Sequence, residues 1–160
     1  MRKQLLILCL VVVAFGLLVS ACGGDGSAAE DDENTLRIVA QDGKTVRLQI
    51  EVADEASELT TGLMSRPELA KDAGMLFILN GSRRGFWMKD TLIPLSVAFI
   101  GDCGRILAIA DMEPQSERIH NTTEPYFFGL EVNQGWFARN GLGIGSQVPI
   151  PEAYLRSNCR

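Results

Sequence analysis

Five side chains of this 160-residue chain stand in settings where chemistry is conceivable. They are Arg66 in GLMSRPEL, Trp87, Lys89 and Asp90 in GFWMKDTLIPL, and Glu131 in FFGLEVNQGW. An aromatic wall with a few fixed charges is what small-molecule pockets use, so Arg66, Trp87, Lys89 and Glu131 are candidate ligand contacts. Arg66 or Lys89 would select an anionic small molecule or glycan, through a carboxylate, phosphate or sugar acid. Arg66 and Glu131 serve equally well as a mutual buried ion pair that holds the fold. The alternative chemistry is hydrolysis of an envelope or extracellular polymer by two carboxyls, with Asp90 and Glu131 as the pair. Along an extended segment Phe86, Met88 and Asp90 share one side and Trp87, Lys89 and Thr91 the other. Lys89 beside Trp87 then reads as a cation–π contact or a pocket rim, and Asp90 before Thr91 as a turn or cap residue. Glu131 lies between Leu130 and Val132, with its side chain opposite theirs, and is expected to face water.

Other catalytic signatures are missing. Nucleophile–base catalysis needs a base beside a nucleophile, and the sole histidine, His120, sits in the polar loop SERIHNTTEP. The chain contains no G-x-S-x-G elbow. Met64, Met75, Met88 and Met112 are isolated in apolar runs and read as gap-fillers rather than soft metal ligands. The glycines from Gly141 to Gly145 lack the strand–turn–helix setting of a phosphate loop. No metal and no cofactor is expected, and whether the chain is an enzyme stays open, with the balance toward a binding or accessory module.

The elements that must position these residues are mostly strands. Leu36 to Ala40 and Thr45 to Val52 form a hairpin around Asp42-Gly43, with Val46, Leu48, Ile50 and Val52 alternating with Arg47, Gln49 and Glu51. Asp54 is placed to cap a short helix carrying Ala56, Leu59 and Leu63 on one side, and Pro67 to start a further helical turn. The apolar runs GMLFIL, SVAFI and RILAIA suggest strands buried on both faces. GDCG joins the last two, with Cys103 at the tip. Tyr126 to Asn133 is another strand, and QGWFARNGLG a short helix stopped by Gly141. The fold class is therefore α+β, mostly β: a small antiparallel-rich sheet or partly closed barrel with two short helices.

The N-terminus has a separate logic. Arg2 and Lys3 precede an apolar run from Leu5 to Val19, then Ser20, Ala21 and Cys22, the form of an export signal. Val19-Ser20-Ala21-Cys22 resembles a bacterial lipobox, which makes Cys22 the lipidation site. Residues 1–21 are then a lipoprotein signal peptide, residues 22–35 the lipidated Cys with a flexible acidic tether, and residues 36–160 a single globular domain. More than one acyl chain holds a protein stably to a bilayer, so the expected location is the extracytoplasmic side of a membrane, periplasmic or cell-surface. Gly23 to Thr35 holds five acids and no large apolar residue, as a linker should. From Leu36 on, thirteen basic residues face fifteen acidic ones, with no basic face for nucleic acid. No feature names a protein partner. Of the four cysteines, Cys9 leaves with the signal, and Cys103 and Cys159 remain where disulfides form, so a bridge between them is plausible.

The runs TTGLMSRPEL, GMLFIL, GFWMKDTLIPLSVAFI, GRILAIADMEPQ and YFFGLEVNQGWFARNGLGIGSQV, in that order, resemble domain of unknown function 192 from about Val46 to Pro149. The resemblance implies a compact, mostly β fold with short helices, often exported, and implies no activity. The family pattern has Asn at the position of Asp90 and Asp at the positions of Ser96 and Ser146. Had the acid after Ile-Pro-Leu served chemistry, Ser96 would have removed it.

Overall fold

The computed structural model describes residues 34–79, 84–155 and 159. The expected export signal, Cys22 and the expected tether up to residue 33 lie outside the described residues. Among the described residues no helix is long and apolar enough to cross a membrane.

Six strands form one sheet: β1 (Thr35–Val39), β2 (Thr45–Ala53), β3 (Ala73–Ile78), β4 (Leu95–Ile100), β5 (Ile106–Met112) and β6 (Phe128–Asn133). Their spatial order is β1-β2-β3-β6-β4-β5. The Asp42-Gly43 turn makes β1 and β2 an antiparallel pair, as its chemistry demands. The one parallel pair, β2 with β3, is joined by the helix α1 (Ala56–Thr61), the connection that parallel strands need. β6 then inserts between β3 and β4, antiparallel to both. The fold is thus α+β and mostly β, an open sheet with α1 and a second short helix, α2 (Trp136–Arg139). The sheet is not closed, but Gln147 forms bridges to Val39 on β1 and to Arg105 just before β5, clasping the two edges at one end. That clasp blunts strands that would otherwise offer unpaired backbone.

Both faces of the sheet are covered. On one face Leu48, Ile50, Leu76, Ile78, Leu130 and Val132 pack under Trp136 and Phe137 of α2 and the later residues Leu142, Val148 and Ile150. Trp136 donates its indole N–H to Asp72 at 3.0 Å, which satisfies the one polar atom of a fully buried ring. On the other face Met75, Phe77, Val97 and Phe99 pack under Leu59 and Leu63 and under Phe86, Met88 and Ile93. β3, β4 and β6 lie in the middle, and their continuous apolar runs follow from burial on both sides. β5 does not fit that pattern. It is an edge strand, and Leu107 to Ala110 are only half-buried.

Local details depart from the sequence reading where side-chain reach decides. α1 is capped by Glu55, not Asp54. A capping box needs its partner acid three residues on, and Glu58 is three from Glu55; its carboxylate accepts the backbone N–H of Asp54 and of Glu55. No further helical turn forms at Pro67. Thr35, expected as the last residue before the domain, opens β1 and donates to the Gln49 side chain at 3.0 Å.

Cys103 and Cys159 are joined by a disulfide across a sequence separation of 56. Cys103→Ser should lower the unfolding free energy by about 2–4 kcal/mol by releasing the unfolded chain. Urea midpoints measured with and without reductant check this. Equal midpoints for the parent chain in the two conditions would show that the bridge contributes nothing.

Candidate functional site

Gly85 to Leu95 crosses the second face of the sheet mainly as irregular chain. Before Leu95 opens β4, its strand-like pairing among the described residues is a bridge between Phe86 and His120, with N–H to carbonyl bonds of 2.9 and 2.7 Å. Phe86 and Met88 are buried while Trp87 and Lys89 are exposed, so alternation holds that far. A turn then ends it. Asp90 takes φ 55°, which an Asp tolerates better than most residues, and its carbonyl accepts the Ser65 N–H at 2.8 Å. The turn leaves Asp90 exposed and rolls Thr91 into the core.

Phe86 goes inward because Gly129 makes room for it. Phe77, Gly129 and Phe99 stand side by side across β3, β6 and β4. The Phe86 ring lies on the bare Gly129 backbone, edge-to-face with Phe77 at 5.3 Å and with Phe99 at 5.8 Å. Tyr126 continues the cluster against Phe99 at 5.0 Å and donates its hydroxyl to the Arg84 carbonyl, holding the start of the crossing segment.

Between this segment and α1 a cavity of about 390 Å³ remains open to solvent. Leu59, Leu63 and Met64 form its helix-side wall; Phe77, Leu79 and Phe86 form the sheet side. Trp87, Ile119 and Arg84 stand around it, with Trp87 42% and Ile119 67% exposed. Thr60, Thr61 and Thr91 are hydroxyl-bearing residues in a mostly apolar lining. Glu131 supplies a carboxyl.

Glu131 corrects the expectation that it would face water. Alternation does put it opposite Leu130 and Val132, but that side of β6 is a second core layer, and Glu131 is only 5% exposed. Its cross-strand neighbours are Met75 and Val97, neither a partner for a charge. Among the described residues no hydrogen bond or ion pair reaches its carboxyl. Loss of hydration alone pushes its pKa up to about 8, because burial disfavours the ionised form. At neutral pH it is mainly a neutral acid that can donate a proton in a hydrogen bond.

Arg66 is placed elsewhere and does not pair with Glu131. Both guanidinium nitrogens bind the Glu51 carboxylate, at 2.5 and 2.7 Å, and that hydrogen-bonded pairing holds Glu51 below the usual carboxylate range. Glu51, Met75 and Glu131 lie in one row across the sheet, so Met75 separates the ion pair from the buried acid. Arg66 and Glu51 line a neighbouring hollow that meets the main cavity at Thr61 and Gly62. Lys89 lies over the Trp87 ring, 5.4 Å from its centroid, and is not part of the cavity lining. Of the four candidate ligand contacts, Trp87 and Glu131 share the cavity, and Arg66 and Lys89 are engaged outside it. Asp90 is also outside the lining, so the two carboxyls proposed for hydrolysis have no common cavity.

Ser96 faces the opposite side of the sheet. Its hydroxyl donates to Asp111 at 2.5 Å and accepts the Gly135 N–H at 2.8 Å. The departure from Asp at this position therefore leaves the Glu131 cavity untouched. Asp102, Cys103 and Cys159 come close together, but the two sulfurs are joined and offer no thiolates.

Arg84, Thr91 and Ile119 were not among the residues singled out from sequence. One signal was available: Ile119 is a large apolar residue in an otherwise polar loop, here lying against the Gly85 backbone at the cavity.

The family model for DUF192, described as an uncharacterized ACR, matches residues 37–150. A protein of Sinorhizobium meliloti 1021 described as a "putative transcription regulator" is 36% identical, with a TM-score of 0.69, over 71% of this chain and 90% of its own. A protein of unknown function from Novosphingobium aromaticivorans is 32% identical, with a TM-score of 0.68, over 72% of this chain and 84% of its own. None of the curated proteins matches the chain.

Proposed function

Since the chain belongs to the DUF192 family, for which no activity is described, we propose from its own geometry that it is a membrane-anchored, extracytoplasmic module that binds a small ligand in the Glu131 cavity. The observation that carries the binding half is the cavity itself. A space of about 390 Å³, mostly apolar, with Glu131 in its lining and no partner for that carboxyl among the described residues, has the size and make-up of a small-molecule site. The anchoring half rests on the apolar N-terminal run ending in Val19-Ser20-Ala21-Cys22 and on the acidic, Gly-rich stretch after it. A lipid on Cys22 would hold the domain to the membrane, and the tether would let it sample the space nearby. A regulatory role through nucleic acid is not proposed, because thirteen basic against fifteen acidic residues from Leu36 on supply no excess cation for phosphates. Hydrolysis by Asp90 and Glu131 finds no support in the geometry.

A ligand panel scored by thermal shift tests the binding half, with Trp87→Ala and Arg66→Ala alongside the parent. A ligand in this cavity should lose its stabilising effect in Trp87→Ala and keep it in Arg66→Ala. A hit that survives Trp87→Ala and fails in Arg66→Ala would move the site to the neighbouring hollow. For the anchor, Cys22→Ser should release the protein from the membrane fraction or leave it unprocessed; unchanged fractionation and processing would rule the lipid out.

A further inference from the structure

We propose that the ligand of this cavity is a primary amine with an apolar body, its ammonium seated on the Glu131 carboxyl. The proposal rests on the binding reading above and names the ligand's class.

The lining separates three kinds of head group. An anion, the class that Arg66 and Lys89 suggest in sequence, meets little that suits it. Arg66 is committed to Glu51 and Lys89 to the outer Trp87 ring, which leaves Arg84 as the only basic side chain in the lining among the described residues. Arg84 is exposed, so solvent screens what it could offer a carboxylate placed beside Glu131. A neutral alcohol or amide can exchange a hydrogen bond with Glu131, but only one between uncharged groups. An ammonium lets the carboxyl ionise and forms a charge-assisted bond, roughly twice as strong. Its other two N–H groups need acceptors, and the hydroxyl-bearing residues Thr61 and Thr91 line the same space. Leu59, Leu63, Phe77 and Ile119 are left for the apolar body.

Competing charges around Glu131 are few. Its strand neighbours Met75 and Val97 carry none, α1 contributes Leu59, Thr60 and Thr61, and the crossing segment contributes Arg84. The nearest acid across the sheet is Glu51, already neutralised by Arg66. Glu58 lines the hollow on the far side of Thr61 and Gly62. The seat for a cation is thus Glu131 alone, and binding must eject its proton to the buffer.

Isothermal titration of the full chain with 4-phenylbutylamine, 4-phenylbutanol and 4-phenylbutyrate tests this, since the three share a body and differ in head charge. At pH 8.5 the amine should bind at least tenfold tighter than the alcohol. Between pH 6 and pH 7.5 its affinity should rise by close to tenfold per pH unit, because a proton bound in the free protein is absent from the complex. Its apparent enthalpy should then follow the ionisation heat of the buffer, a readout that needs no variant. Glu131→Gln should erase the amine preference and the proton release while alcohol affinity stays within about threefold. Alcohol or butyrate binding as tightly as the amine, or amine binding without proton release, would overturn the amine class and leave the binding site standing. Failure of all three to bind would remove the cavity reading and the proposal together.

Discussion

Glu131→Gln should make the protein more stable than its parent above pH 8 and leave it about equally stable near pH 4. Folding raises the Glu131 pKa from an ordinary 4.5 to about 8 by stripping water from the carboxyl. Between those values the folded chain keeps a proton that the unfolded chain has released, so parent stability falls as pH rises. The contribution of the buried acid is fully present below the ordinary carboxylate range and is lost as pH climbs through 8. Each pH unit in the window costs about 1.4 kcal/mol, on the order of 5 kcal/mol over the whole span. Glutamine has nearly the same shape and no charge to bury, so the variant should lack this slope. Glu51, held low by Arg66, acts in the other direction: its contribution is lost as pH falls through its lowered pKa. That term is common to both proteins and cancels in their difference. Urea unfolding of both proteins from pH 4 to pH 9, read through a shared m-value, measures the gap. Parallel curves would mean that Glu131 is hydrated or partnered in the folded protein.

Phe86→Ala should lower the unfolding free energy by about 3–5 kcal/mol, the usual cost of emptying a buried aromatic site. Phe86 fills the notch over Gly129, between Phe77 and Phe99, and also walls the Glu131 cavity. Gly129→Ala attacks the same contact from below. The three atoms nearest a methyl group there all belong to the Phe86 ring, and overpacking of this kind costs about 1–3 kcal/mol. The telling experiment is the double variant. Once Phe86 is alanine, the methyl at position 129 has free space, so the pair should be no less stable than Phe86→Ala alone. A coupling of about 1–3 kcal/mol in the double-mutant cycle is expected. Strict additivity would show that the ring does not rest on Gly129.

Much of the scaffold was legible because it follows from local rules. Asp42-Gly43 specifies a tight turn, and the alternation after it gives β2 one buried face. Gly141 at φ 72° follows α2, as a residue free to leave the right-handed region should. The unbroken apolar runs mark β3, β4 and β6 as strands covered on both sides. The same rule misjudged β5, since an apolar run does not say whether a strand stands at the centre of a sheet or at its edge. It also treated the segment around Trp87 as a strand, when a left-handed Asp90 turns the chain after four residues.

By itself, then, the sequence determined the kind of protein this is: a mostly β domain of the DUF192 family whose strands, turns and helices follow from periodicity and turn chemistry within a few residues of each position. Only the tertiary structure decided the site. Whether Glu131 faces water depends on what covers β6, and the cover comes from α1 and from Phe86, roughly seventy and forty-five residues earlier in the chain. Whether Arg66 meets Glu131 or Glu51 depends on the register of β2 against β3, which sets Met75 between them. A side chain's charge state is fixed by its neighbours in space, and those neighbours are chosen by strand order, which no local pattern in the chain encodes.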